Sequence, residues 1–308
     1  NKSLDILNYI IFLYADLQAK SLNARLYRLG SVCILFCGSV SMEAIGIDLG
    51  TTNSLVGIWT PDGTELIPNV HGSYLTPSVV SVDDSGEIYI GEIANQRRIS
   101  HPLMTASAFK RHMGTQKKYH LGPYTFTSEE LSSFVLKSLK TDAEAHLKRE
   151  ISEAIISVPA YFNDIQRKAT IRAAEMAGLR VKRLVSEPTA AAIAYGLHQE
   201  DEAAKFLVLD LGGGTFDVSI LEFFEGIMDI KAVAGDVFLG GEDFTQALIS
   251  HYVKNAEADS NTTDPKFMSE LYMSAEKCKR ELTVKENCEM CVTYDGKKNS
   301  LAISRADF

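Results

Sequence analysis

An internal repeat constrains this chain more than any other feature. Ile47-Asp48-Leu49-Gly50-Thr51-Thr52-Asn53-Ser54-Leu55-Val56 recurs as Leu209-Asp210-Leu211-Gly212-Gly213-Gly214-Thr215-Phe216-Asp217-Val218. Each copy runs apolar residue, Asp, Leu, glycine, threonine and then a strand-like alternation. A duplicated strand–loop–strand unit predicts two similar lobes, each presenting a loop the size of a phosphate. An ordinary hairpin turn demands neither the Asp before the glycines nor the Thr after them. Glycines permit φ > 0, so successive backbone N–H groups can converge on an anion, and threonine hydroxyls add donors. A carboxylate beside a phosphate repels it unless a cation intervenes. Asp48 and Asp210 therefore imply Mg²⁺, held through water because that ion keeps much of its hydration shell.

The pattern around the repeat predicts an α/β protein. Residues 44–67 read as a strand, a polar turn, a second strand and a hairpin. Helical periodicity follows at about 103–113 and 129–147, then strand 154–158 closed by Pro159, helix 164–177, strand 181–185, helix 188–196 and strand 205–210. A second meander runs to about Ala234. Helices 242–258 and 265–282 and strands 288–294 and 299–304 complete the reading. A chain of 308 residues has room for about two domains. Its net charge of −9 argues against general attraction to nucleic acid or an anionic bilayer, so phosphate binding must be local.

Residues 1–41 differ from the rest. They carry the apolar runs Ile10-Ile11-Phe12-Leu13 and Val32-Cys33-Ile34-Leu35-Phe36, both too short to span a membrane. They read as an extension outside the fold, with Met42 as the natural start. At the other end the chain stops at Ser304–Phe308, where a strand gives way to a helix start, and reads as truncated. Five cysteines, odd in number and sparse, point to a reducing compartment rather than a disulfide framework. Cys288-x-x-Cys291 lacks a second pair for zinc and reads as two small residues in a strand. There is no GxxxxGK[ST] and no complete GxGxxG in a βα turn, which excludes P-loop and Rossmann sites.

Four ordered motifs carry a specific resemblance: Ile45-Gly46-Ile47-Asp48-Leu49-Gly50-Thr51-Thr52-Asn53-Ser54, Val158-Pro159-Ala160-Tyr161-Phe162, Glu187-Pro188-Thr189-Ala190-Ala191-Ala192-Ile193-Ala194-Tyr195-Gly196 and Asp210-Leu211-Gly212-Gly213-Gly214-Thr215-Phe216-Asp217. From about Ala44 to Phe308 the chain resembles the nucleotide-binding domain of the heat-shock protein 70 chaperones, of DnaK type and closest in wording to the HscC branch. The resemblance implies an actin-like ATPase fold, with residues 42–204 as a first lobe and 205–308 as an incomplete second lobe. ATP or ADP and Mg²⁺ would lie between the lobes. It implies that Gly50, Thr51, Thr52 and Asn53 hold phosphates from the first lobe, and Gly212, Gly213, Gly214 and Thr215 from the second. Asp48, Asp210 and Glu187 would arrange the hydrated metal and the attacking water. Lys110, an ordinary solvated helix lysine when read alone, matches the family's catalytic lysine, a cation placed on charge that builds at the γ-phosphoryl group. Thr215 joins that catalytic set.

Glu276, Lys279, Arg280 and Thr283 match the helix that holds adenosine, since residues three and four apart share a helix face. Pro159, Tyr161 and Arg167 match the hinge that relays nucleotide state, and Pro188 the segment linking the lobes. Read alone, Tyr161 is a core aromatic. The family's later adenosine loop and its peptide-binding domain have no counterpart here, so the reading expects impaired ATP hydrolysis by this chain. The shortness of the apolar runs in residues 1–41 predicts cytoplasmic residence, and the resemblance implies, as partners, unfolded peptide clients through the absent domain, a J-domain co-chaperone and a nucleotide-exchange factor. The rival readings are an actin-like-fold small-molecule kinase, which needs an acidic base aimed at a substrate hydroxyl, and a filament protein. No such base stands out.

Overall fold

Both faces of the opening strand are apolar, and that alone places it inside a sheet rather than at its rim. β1 (Ala44–Asp48), β2 (Asn53–Thr60) and β3 (Gly63–Ile67) form the antiparallel meander read from the sequence, with Ile47 opposite Val56 and Asp48 opposite Leu55. This computed structural model describes residues 44–60, 63–194, 204–224, 227–255, 264–294 and 296–308. The expectations for residues 1–41, for Met42 and for Tyr195 and Gly196 lie outside the described residues.

β4 (Thr76–Pro77), β5 (Val79–Val82), β6 (Ile88–Ile90), α1 (Glu92–Ser100) and β7 (Thr105–Ser107) follow. β5 is the middle of a small sheet in the order β6-β5-β7, and α1 packs on it. The helix predicted over 103–113 does not form. That stretch holds a 3-10 turn at Pro102–Met104, then β7, then a second 3-10 turn at Phe109–His112 entered through Ala108 in the left-handed region at φ 53°. Pairing of β7 with the edge of β5 supplies backbone hydrogen bonds that overrule a helix-like spacing of apolar residues.

After the hairpin β8 (Tyr119–Leu121) and β9 (Tyr124–Phe126) comes α2 (Ser128–Leu147), started by a capping box between Thr127 and Glu130. β10 (Glu153–Val158), α3 (Asp164–Met176), β11 (Arg180–Ser186) and α4 (Glu187–Ala194) follow, with a second capping box joining Asn163 and Gln166. The main sheet runs β11-β10-β1-β2-β3, with β4 added to β2. β1, β10 and β11 are parallel and the other pairs antiparallel. Ile45, Ile47 and Ile156 pack there beneath Leu131, Val135 and Leu139 of α2. In this register β1 and β10 end side by side, with Asp48 next to Ser157.

β12 (Ala204–Leu211), β13 (Phe216–Phe224) and β14 (Ile227–Asp236) form a second antiparallel meander, with Asp210 opposite Asp217. α5 (Gly241–Asn255), α6 (Pro265–Glu281) and the hairpin β15 (Asn287–Tyr294) with β16 (Lys297–Ser304) share a separate core of Leu248, Tyr252, Phe267, Leu271, Met290 and Ile303. Cys278 of α6 and Cys288 of β15 are joined there as a disulfide, a pairing that the cysteine count does not foretell. Cys291 is free and three residues from Cys288 along a strand, hence on its opposite face. No helix among the described residues is long and apolar enough to cross a membrane.

Candidate active site

The two copies of the repeat meet. The β1–β2 loop is pinned by the Ser78 hydroxyl, which donates to the Gly50 carbonyl at 2.8 Å, while the Gly50 N–H donates to Ser54 Oγ at 3.2 Å. The β12–β13 loop is closed by a Gly212 N–H to Thr215 carbonyl bond of 2.9 Å. A Cβ on Gly213 would stand 1.9 Å from Thr52 Oγ1, and one on Gly214 would stand 2.6 Å from Thr51 Cγ2. Glycine at these positions is therefore what lets the β1–β2 and β12–β13 loops touch.

Between the loops lies a cavity of about 170 Å³ lined by Asp48, Lys110, Glu187 and Asp210 together with Gly50, Thr51, Thr52, Asn53, Gly212, Gly213 and Thr215. All the residues expected around the phosphates thus line one cavity, except Gly214, which lies against Thr51 and Arg111. Lys110 is 4% exposed, no solvated helix lysine, and its Nζ donates to Glu187 Oε1 at 3.0 Å. Asp48 Oδ1 accepts from Ser157 Oγ at 2.6 Å. Burial pushes the Glu187 carboxyl up, to about 7; Lys110 pulls it down, while Asp48 and Asp210 add to the rise. Three buried carboxylates thus face one buried ammonium group. Among the described residues no group of three His, Cys, Asp or Glu closes directly on a metal position. The donor set suits a cation that keeps its own water between itself and the carboxylates.

A larger cavity of about 510 Å³ shares Thr51, Thr52, Asn53 and Gly213 and extends to Glu276, Lys279 and Arg280 on α6. Lys279 Nζ also donates to the Gly241 carbonyl and to Thr245 Oγ1, both at 2.8 Å, and Glu276 accepts from the Thr245 hydroxyl at 2.8 Å. Thr283 is not on this wall. It lies exposed past the end of α6, where its hydroxyl donates to the Arg280 carbonyl at 2.7 Å. On the lining of this cavity Arg98 of α1 sits 4.1 Å from the Tyr272 ring centroid, and the Tyr272 hydroxyl donates to Glu242 at 2.6 Å. Thr245, Tyr272, Arg98 and Ser157 carry no motif of their own, and each is found only through contacts distant in sequence.

Tyr161 is no core aromatic: its ring is half exposed, while its backbone N–H donates to the buried Asp217 carboxylate at 3.0 Å, tying the segment after β10 to the second meander. Arg167 donates to the carbonyls of Phe162 and Ala160, holding the turn that follows Pro159.

A family model described as Hsp70 protein matches residues 44–121 and 116–308. The chaperone protein DnaK of Thermotoga petrophila and that of Thermotoga maritima are each 48% identical to this chain over 254 residues, covering 81% of it and 43% of their own length. The chaperone protein DnaK of Thermotoga neapolitana matches with the same identity and coverage. The chain spans less than half the length of these relatives.

Proposed function

The chain belongs to the Hsp70 family, and from that premise we propose that residues 44–308 bind Mg-ATP in the cleft between two lobes of an actin-like ATPase fold and hydrolyse it. The observation that carries this reading is the meeting of the two repeat loops around Lys110, Glu187, Asp48 and Asp210. Glycines and threonines of both loops line one cavity, and so bring backbone N–H groups and hydroxyls to it. A polyphosphate that accepts from both is bound most tightly when the lobes are closed, which is how a ligand shifts a conformational population.

Asp48, Asp210 and Glu187 would hold Mg²⁺ through its water, and the bound ion supplies charge neutralisation along the phosphates. Lys110 places a buried cation on the cavity, where a preorganised charge stabilises developing negative charge. Glu187 lines the same cavity beside Lys110, Asp48 and Asp210, a position that suits its carboxylate to orient an attacking water and accept its proton. The aliphatic stems of Lys279 and Arg280 suit the flat face of a base, with Glu276 beside them for polar contact.

For the whole protein we carry forward the coupling of hydrolysis to control of unfolded-peptide binding, with a J-domain co-chaperone and a nucleotide-exchange factor as partners and the cytoplasm as compartment. The relatives matched are DnaK proteins, and nothing in the comparison distinguishes the HscC branch. The kinase reading gains no support, because the acidic groups of the cleft are those that face the cation. Titration of the chain with Mg-ATP, combined with single-turnover hydrolysis by wild type and Lys110→Ala, tests the proposal. Binding retained with hydrolysis slowed about a hundredfold is the expected result. Absence of Mg-ATP binding by the wild type, or an unchanged hydrolysis rate in the variant, refutes it.

A further inference from the structure

Lys110 is followed directly by a second cation whose partner lies in the other lobe. The Arg111 guanidinium donates to both oxygens of Asp243, at 2.9 and 3.0 Å, and the arginine side chain is only 10% exposed. Both bonds leave one nitrogen, Nη2, and span the two carboxylate oxygens; the arginine is buried while the Asp243 side chain is 32% exposed, so the pair is held on its arginine side more firmly than an exposed surface pair.

Asp243 sits in the first turn of α5, and that turn holds the glycine loop. The Gly241 N–H donates to the Gly212 carbonyl at 3.0 Å, and the Glu242 N–H to the Gly213 carbonyl at 2.8 Å. A trans peptide points its N–H opposite its carbonyl, so anchoring those two carbonyls sets the direction of the N–H groups of Gly213 and Gly214. Asp243 Oδ2 also accepts the Gly240 N–H at 2.8 Å, locking the residue that precedes α5. On the first-lobe side, Arg111 lies over Gly214, where a Cβ would meet Arg111 Cγ at 2.9 Å. Its guanidinium carbon is 5.1 Å from the Phe238 ring centroid, and the His112 ring is 5.5 Å from the same centroid. The residue after Lys110 thus fastens the phosphate loop of one lobe to the lysine segment of the other.

We propose that the Arg111–Asp243 pair is an interlobe latch, a pair of positioning residues that sets the distance between Lys110 and the Gly212–Thr215 loop. The inference rests on the ATPase reading for its kinetic consequence but not for the latch itself. Neither residue need touch nucleotide; the pair acts through Lys110 on one side and through the α5 first turn on the other. Its loss slows the chemical step, where misplacement by a fraction of an ångström is felt, more than it weakens ADP binding, which the other loop contacts maintain.

The test is a double-mutant cycle of Arg111→Gln, Asp243→Asn and the two combined in the 308-residue chain. Asp243→Asn keeps an oxygen for the Gly240 N–H while removing the charge. In the nucleotide-free protein each single variant should speed hydrogen exchange in both 109–113 and 212–215, segments that belong to different lobes. In single turnover each should slow hydrolysis by about tenfold to a hundredfold, with ADP affinity changed less than about threefold, and the double variant should be no slower than the worse single one. Asp243→Glu, which restores the charge, should recover most of the rate. Exchange that rises in one lobe alone, rate losses that multiply in the double variant, or equal losses in rate and ADP affinity would each overturn the latch. A wild type that hydrolyses no ATP would overturn the ATPase reading instead, and the latch would then stand or fall on the exchange data.

Discussion

Gly240→Ala is the sharpest single perturbation of the cleft. A Cβ at this position would meet Gly214 N at 2.6 Å, the Gly213 carbonyl carbon at 2.7 Å and Gly214 Cα at 2.8 Å. All three are backbone atoms, so no rotamer change relieves them. Carbon contacts are comfortable from about 3.5 Å, so the phosphate loop must retreat by roughly 0.7–0.9 Å. Overpacking of this kind costs about 1–3 kcal/mol of stability. Misplacing a catalytic constellation by about 1 Å costs up to about a hundredfold in rate, and Gly213 is already in contact with Thr52 across the cleft. Mg-ADP affinity should fall about tenfold and single-turnover hydrolysis about thirtyfold to a hundredfold. Gly72→Ala serves as the control: its φ of 77° makes alanine strained there, yet open space surrounds it, so it should lose about 1 kcal/mol of stability with hydrolysis unchanged. Thermal melting, calorimetric titration and single-turnover kinetics on both variants separate local displacement from general destabilisation. Wild-type hydrolysis in Gly240→Ala, or a comparable loss in Gly72→Ala, would refute the reasoning.

Thr215→Ala removes a hydroxyl from the phosphate cavity but leaves its carbonyl bond to Gly212; it should weaken ADP binding and slow hydrolysis together by about tenfold, and a change in one alone counts against the placement. Glu187 carries a raised folded pKa, so the nucleotide-free chain binds its proton more tightly than the unfolded chain does and loses stability as pH rises from about 4.5 to about 7. Glu187→Gln should remove that loss: the variant gains on wild type between about pH 5 and about pH 8, by up to about 3 kcal/mol in denaturant titrations, and a gap that stays constant contradicts the assigned environment. Tyr272→Phe deletes the hydroxyl bond to Glu242 on the lining of the larger cavity, worth about 1 kcal/mol, and should speed release of a fluorescent ADP analogue about fivefold; unchanged release shows that this contact does not restrain the nucleotide.

What the sequence disclosed and what it hid divide along one physical line. Asp48 and Asp210 stood out in the sequence because each is followed within five residues by glycines and threonines that line the same cavity. Lys110 was not legible from local pattern: the helical spacing around it is real, but β5 offers β7 its backbone partners and turns the segment into two 3-10 turns, which buries the lysine against Glu187. Thr283 failed in the opposite sense, since a helix-face argument presumes that the helix continues, whereas α6 ends at Glu281. The residues that fasten one lobe to the other are the most hidden. Arg111 and Asp243 look like two ordinary surface charges until the fold sets one beneath the other, and Gly240 looks like a helix-start glycine until the Gly213–Gly214 backbone is found against it. A repeated loop can be recognised from one lobe alone, because its chemistry is contained in consecutive residues. The distance between two such loops is contained in neither copy, and it is set by pairs that sequence separates by more than a hundred residues. Substitutions in those pairs should therefore change rate before they change binding, while substitutions within either loop should change both.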